Sequence, residues 1–124
     1  MIDFKINVMG AIKSLQAVLK KLQQSEQASI VFYSTVAVQT GMPFHASVAA
    51  SKGAIEGLTK SLAAEYAPKF RVNAIAPSLT DTPLADKFLN NESKLEKASE
   101  RHPLKSIGSA KDIAETTCFL LKWR

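Results

Sequence analysis

Two short runs constrain this chain most: "ASIVFYS", Ala28 to Ser34, and "FRVNAIA", Phe70 to Ala76. Both are rich in β-branched and aromatic residues, and neither alternates apolar with polar. That is the pattern of a strand buried on both faces. Between them, over Ala46 to Tyr66, the residues Ile55, Leu58, Leu62 and Tyr66 fall on one helical stripe, which Pro68 stops. Strand, crossover helix, strand predicts a right-handed βαβ unit with parallel pairing.

Helices are predicted on either side. From about Phe4 to Leu22, the residues Ala11, Leu15, Val18 and Leu22 recur at spacings of four, three and four, an amphipathic helix that "QQSEQ" ends. "VQTGMPF" reads as a loop broken by Gly41 and Pro43. After Pro77, a helix is predicted from Thr82-Pro83, with threonine as cap and proline in the first turn. It runs to about Arg101 through polar sequence containing "NNES", so it is expected to be mobile or broken. The last helix opens at "SAKD", Ser109 to Asp112, a capping box with Asp in place of Glu.

The expected class is therefore α/β, with about two strands and four helices. A free-standing parallel fold needs more sheet, and a bare parallel edge invites aggregation. The reading is half of a larger sheet, one partial domain over residues 1–124. A chain of 124 residues holds one domain at most, and a hydrophobic share of 46% can support its core.

The net charge of +5 raises the question of nucleic acid. Lys13, Lys20 and Lys21 lie on one helix, however, and Lys87, Lys94 and Lys97 are interleaved with Asp86, Glu92 and Glu96. One Trp and two Tyr give no stacking surface, so the charge reads as solvated helix faces and no nucleic acid is expected. No apolar run approaches the ~20 residues that span a bilayer. Asp3, Lys5 and Asn7 interrupt the first apolar segment, so neither a signal peptide nor a membrane partner is expected. The single Cys118 permits no internal disulfide and suits a reducing, cytoplasmic setting. It is read as a small apolar side chain in the last helix.

Four stretches follow one another in order: "INVMG" (Ile6 to Gly10), "IVFYST" (Ile30 to Thr35), "SVAASKGAIEGLTKSLAAE" (Ser47 to Glu65) and "RVNAIAPSLTDTP" (Arg71 to Pro83). Together with the closing "HPLKSIGSAKDIAETTCFLL", they resemble the second half of short-chain dehydrogenases/reductases over essentially the whole chain. The resemblance implies the C-terminal half of a Rossmann-like, doubly wound parallel sheet, without the N-terminal glycine-rich half. It also implies hydride transfer between NAD or NADP and a small carbonyl or alcohol, and a homo-oligomer pairing the helices around Ala11–Leu22 and Ile55–Tyr66.

In that family a tyrosine moves the proton, and a lysine one turn later favours its phenolate and holds the nicotinamide ribose. A serine orients the substrate oxygen, and an asparagine holds a relay water. Carried over, Asn7 matches the asparagine, Lys52 the lysine, and Thr35, thirteen residues before Val48, the serine. A threonine hydroxyl donates the same bond. Ser34 should point to the other side of its strand.

Val48 holds the tyrosine position and can neither give nor take a proton. His45, three residues earlier, would share its face if the helix begins early enough, and its ordinary pKa of about 6.5 suits acid–base work. The preferred reading is a loop histidine. Ser47 reads as an N-cap, and Tyr33 and Tyr66 as core. Lys52 near a helix N-terminus is electrostatically disfavoured there, which marks a present or a former function.

"APSLTDTP" resembles the loop beside the nicotinamide. It would place Pro77 and Ser78 where the family has Pro-Gly, Leu79 and Thr80 with backbone contacts, and Thr82 with its hydroxyl. A plain strand-to-helix turn capped by Thr82 stands beside that reading. Gly53 and Gly57 sit within a helix, a spacing for close packing and not a phosphate cradle.

Overall fold

The computed structural model describes residues 2–123. A helical stretch begins the described residues. Its Phe4–Met9 segment is π-helical and runs without a break into α1, Gly10–Gln24. Then follow β1 (Ser29–Tyr33), a short α2 (Ala37–Thr40), α3 (Ala46–Tyr66) and β2 (Arg71–Ile75). The remainder holds β3 (Thr80–Asp81), a 3-10 turn (Pro83–Ala85), α4 (Asp86–Leu89), α5 (Glu92–Glu100), β4 (Gly108–Ser109) and α6 (Ala110–Lys122).

β1 and β2 pair in parallel, Ser29 opposite Arg71 through Tyr33 opposite Ile75, with α3 as the crossover. Side chains alternate along β1, and the alternation sorts the layers. Ile30 and Phe32 pack with Leu15, Leu19 and Leu22 of α1 and with Leu58 and Tyr66 of α3, around buried Leu62, Phe70 and Val72. Ser29 and Tyr33 face the other way, onto α6: the Ser29 hydroxyl donates to the Leu120 carbonyl at 3.3 Å, and the Tyr33 hydroxyl meets Thr117 Oγ1 at 2.8 Å. Helices therefore cover both faces of a parallel sheet, the doubly wound arrangement.

α3 has the bounds that the stripe predicted, and it ends as Ala67 turns extended before Pro68. Ser109 caps α6, its hydroxyl accepting from the Asp112 amide at 3.1 Å. The predicted break in the polar stretch lies at Asn90–Asn91, where the Asn91 side chain caps α5 by accepting from the Lys94 amide at 2.9 Å.

Several expectations are corrected. The stretch read as a loop after β1 contains the helical turn α2. Val18 is 44% exposed and Leu19 takes its place against the core, because the stripe drifts around the helix. Neither strand is sealed on both faces. Tyr33, expected in the core, is 44% exposed at the end of β1, since two strands cannot be enclosed from every side. Cys118 is exposed on α6 and does not pack in the interior. Tyr66 does join the core, stacked on Phe70 with ring centroids 4.6 Å apart. β3 and β4, paired in parallel through Thr80 and Gly108, were not foreseen; two-residue strands leave no periodicity to read.

Candidate functional site

The expected site residues gather where the parallel strands end, the edge at which open α/β sheets bind ligands. Asn7 lies in the π-helical segment. There the amide of Gly10 reaches back to the carbonyls of Lys5 and Asn7. Such an insertion re-aims a side chain and is frequent at functional sites. Asn7 Nδ2 donates to Ser51 Oγ at 3.1 Å, and Ser51 Oγ donates to the Val48 carbonyl at 3.0 Å. Ser51 is fully buried. The π segment is thus tied to the first turns of α3.

Lys52 lies one position further on. Its Nζ donates to the Tyr33 carbonyl at 2.8 Å, which holds the ammonium over the last residue of β1. Burial lowers the Lys52 pKa from its ordinary 10.5, because a desolvated charge is disfavoured. Thr35 Oγ1 accepts from the Ala37 amide at 3.2 Å, a local turn that fixes the side chain while leaving its own proton to donate. Ser34 points the other way, as alternation predicted, and donates to Glu56 Oε1 at 2.6 Å under α3. Glu56 Oε2 accepts from Gln39 at 2.8 Å, so this carboxylate braces α2 against α3.

Val48 is in the first turn of α3, half-buried, and its side chain is hydrocarbon alone. His45 does not share its helical face. α3 begins at Ala46, and His45 is its N-cap at φ −113°, outside helical geometry. His45 Nδ1 lies 2.7 Å from the Pro43 carbonyl, to which it donates. Ser47 is not the cap, and its hydroxyl donates instead to Asp3 Oδ2 at 2.7 Å.

The loop after β2 lies beside Thr35, for the Val36 amide donates to the Pro77 carbonyl at 3.2 Å. Ser78 takes no left-handed backbone angle, so its backbone conformation does not call for glycine. The Ser78 hydroxyl lies 2.7 Å from His102 Nε2, and His102 Nδ1 lies 2.8 Å from the Ala98 carbonyl. A carbonyl only accepts, so Nδ1 carries a proton, and in the neutral ring Nε2 accepts from Ser78. The Leu79 carbonyl accepts from the Gly108 amide at 3.0 Å, and Thr80 Oγ1 donates to the Ser78 carbonyl at 3.0 Å. Thr82 precedes the 3-10 turn but makes no side-chain cap bond. Its hydroxyl is 3.5 Å from the Thr80 carbonyl, too long for a strong bond.

Sequence reasoning assigned no task to Ser51 or His102. The place of Ser51 directly before Lys52 was a usable signal. The partner of His102 lies 24 residues away and left none.

Residues 2–123 match the family model described as Enoyl-(Acyl carrier protein) reductase. The chain is 38% identical over 116 residues to the peroxisomal 2,4-dienoyl-CoA reductase of Saccharomyces cerevisiae, covering 93% of this chain and 39% of the relative. A solved short-chain dehydrogenase/reductase from Brucella melitensis superposes with a TM-score of 0.85 at 32% identity, over 94% of this chain and 46% of that one. The structure of ElxO with NADP bound superposes at 0.86 and 28% identity, over 94% and 48%. The chain spans about half the length of the proteins it matches. With the parallel βαβ unit and the residues at its carboxyl edge, these matches establish that the chain belongs to the short-chain dehydrogenase/reductase family.

Proposed function

We propose that residues 1–124 are the C-terminal half of an NAD(P)-dependent oxidoreductase acting on a small carbonyl or alcohol, with a degenerate proton-transfer site. The observation that carries this reading is the placement of Lys52, held over the carboxyl end of β1 beside Thr35 and the Pro77–Thr82 loop. A family scaffold kept only for its shape has no need of a half-buried ammonium there.

The residues present fit the nicotinamide end of a dinucleotide. Lys52 has further N–H donors for ribose hydroxyls. Thr35 has a free hydroxyl proton for a substrate oxygen. In the stretch of Pro77, Ser78, Leu79, Thr80 and Thr82, the backbone and the Thr82 hydroxyl, which makes no strong internal bond, are the groups for the carboxamide. Asn7 uses Nδ2 on Ser51, so Oδ1 is the atom for a relay water. These residues contain no glycine-rich turn for the pyrophosphate, which other residues must hold. When bound, the dinucleotide supplies or accepts the hydride. The chain itself orients the oxygen through Thr35 and holds positive charge beside it through Lys52. It provides no acid at position 48.

Val48 favours a second reading, a non-catalytic scaffold acting in binding or assembly. The two part on one substitution, Val48→Tyr, made in this chain joined to the glycine-rich half of a family relative. A well-placed general acid contributes roughly 10²–10⁴-fold. A rise of that order in carbonyl reduction, with dinucleotide binding unchanged, supports the enzyme-derived site. Absence of dinucleotide binding in both proteins supports the scaffold. Turnover by the unmodified protein that disappears in His45→Ala places the acid at His45.

The exposed thiol of Cys118 is consistent with a reducing, cytoplasmic location. Pairing of α1 and α3 with a second copy is supported by exposed apolar residues such as Val18. No helix among the described residues is long and apolar enough to cross a membrane.

A further inference from the structure

Lys87, Lys94, Lys97 and Arg101 line one groove of about 670 Å³, a size suited to a small ligand. In the sequence these cations alternate with acids, but no acidic side chain lines the groove. Helical spacing explains the sorting. Lys94, Lys97 and Arg101 are three and four residues apart on α5 and the start of its exit, so they share a face, and Lys87 joins them from α4. Among the described residues the one salt bridge is Lys111 with Glu115, elsewhere on α6, so no groove cation is neutralised by a carboxylate. Lys94 Nζ donates to the Asn90 side chain and the Lys87 carbonyl, at 2.9 and 3.3 Å, which fixes its ammonium between α4 and α5. Like charges at these spacings repel, and an anion in the groove would relieve that repulsion.

The same walls are apolar in part. Met42, Phe44, Leu79 and Phe88 line them, with Lys87 Nζ 4.9 Å from the centre of the Phe88 ring, and three of the four are exposed to a degree unusual for large hydrophobic residues. Phe44 is fully exposed and holds φ at +62°, a left-handed angle that a bulky side chain rarely adopts. Strained residues of this kind cluster at ligand clamps. Leu79 belongs to the loop beside Thr35, and His45, also on the wall, caps the helix that carries Val48 and Lys52. The groove adjoins the reaction site.

We propose that this groove takes the substrate as an anionic amphiphile, an apolar body against Phe44, Leu79 and Phe88 with a phosphate-like group on Lys94, Lys97 and Arg101. In treating the ligand as substrate, the inference rests on the oxidoreductase reading. The charge complementarity is a property of the groove itself.

The test is calorimetric titration of the chain with hexyl phosphate, hexanol and inorganic phosphate. Hexyl phosphate is expected to bind at least tenfold more tightly than either fragment, and more weakly as salt is raised. Lys97→Ala with Arg101→Ala, both exposed, should weaken it at least tenfold. Lys20→Ala with Lys21→Ala removes the same charge from α1 and should leave it unchanged. Equal binding of hexanol, an equal loss in the α1 variant, or no binding of hexyl phosphate overturns the inference. Dinucleotide titration of the joined protein is read separately. If it fails while hexyl phosphate still discriminates the variants, the oxidoreductase reading falls and the anion groove stands; the reverse result removes only the groove.

Discussion

Asn7 Nδ2 donates to Ser51 Oγ across 44 residues of sequence, at 3.1 Å, and so joins the π-helical segment to the helix that carries Lys52. Ser51 is fully buried, so neither partner is replaced there by water at no cost. Ser51→Ala leaves the Asn7 amide without its acceptor and should cost about 1–3 kcal/mol of stability. Asn7→Ala should cost a similar amount, and the double variant less than the sum, because each single change already breaks the shared bond. Urea unfolding of the four proteins measures the coupling.

Lys52 provides a pH signature. Its folded-state pKa lies below 10.5, so on raising pH the folded chain releases this proton before the unfolded chain does. The unfolded state then binds more protons, and stability rises with pH across the interval between the lowered pKa and 10.5. Lys52→Met should lack that increment. The difference between the two proteins in unfolding midpoint, followed from neutral to alkaline pH, isolates it from other titrating groups. A constant difference would show that burial does not perturb this lysine.

Gly41 ends α2 at φ 68° and ψ 153°, a region open to glycine and almost closed to other residues. Space is not the obstacle, as nothing lies within 4 Å of an added Cβ. Gly41→Ala is expected to destabilise by about 1–3 kcal/mol through backbone strain alone. Thermal unfolding tests this, and an unchanged midpoint would mean the loop relaxes to another conformation.

His102 ties the loop after β2 to the end of α5 through Ser78. His102→Ala should loosen that loop by about 0.5–1.5 kcal/mol, the net worth of a hydrogen bond. Hydrogen exchange at the Thr80 and Gly108 amides should quicken several-fold, while the β1–β2 pairing keeps its protection. Unchanged exchange would assign the loop's order to the β3–β4 pairing instead.

The sequence by itself determined the parallel βαβ unit, the bounds of α3 and the cap of α6. Each rests on local pattern: buried strands without alternation, a stripe at helical spacing, and a serine three residues before an acidic side chain. That residue 48 is a valine, with no titratable group in any surroundings, is equally a matter of sequence alone. Local pattern did not reach the rest. Ser51 gained its partner from a residue 44 positions away, and Tyr33 stayed exposed because two strands leave the end of β1 uncovered. The cations of α4 and α5 are solvated, as their sequence predicted, but only the fold brings four of them to one groove with the Met42–His45 loop. Tertiary structure decided these points because hydrogen-bond partners and charge neighbours depend on separation in space, which periodicity along a single element does not record.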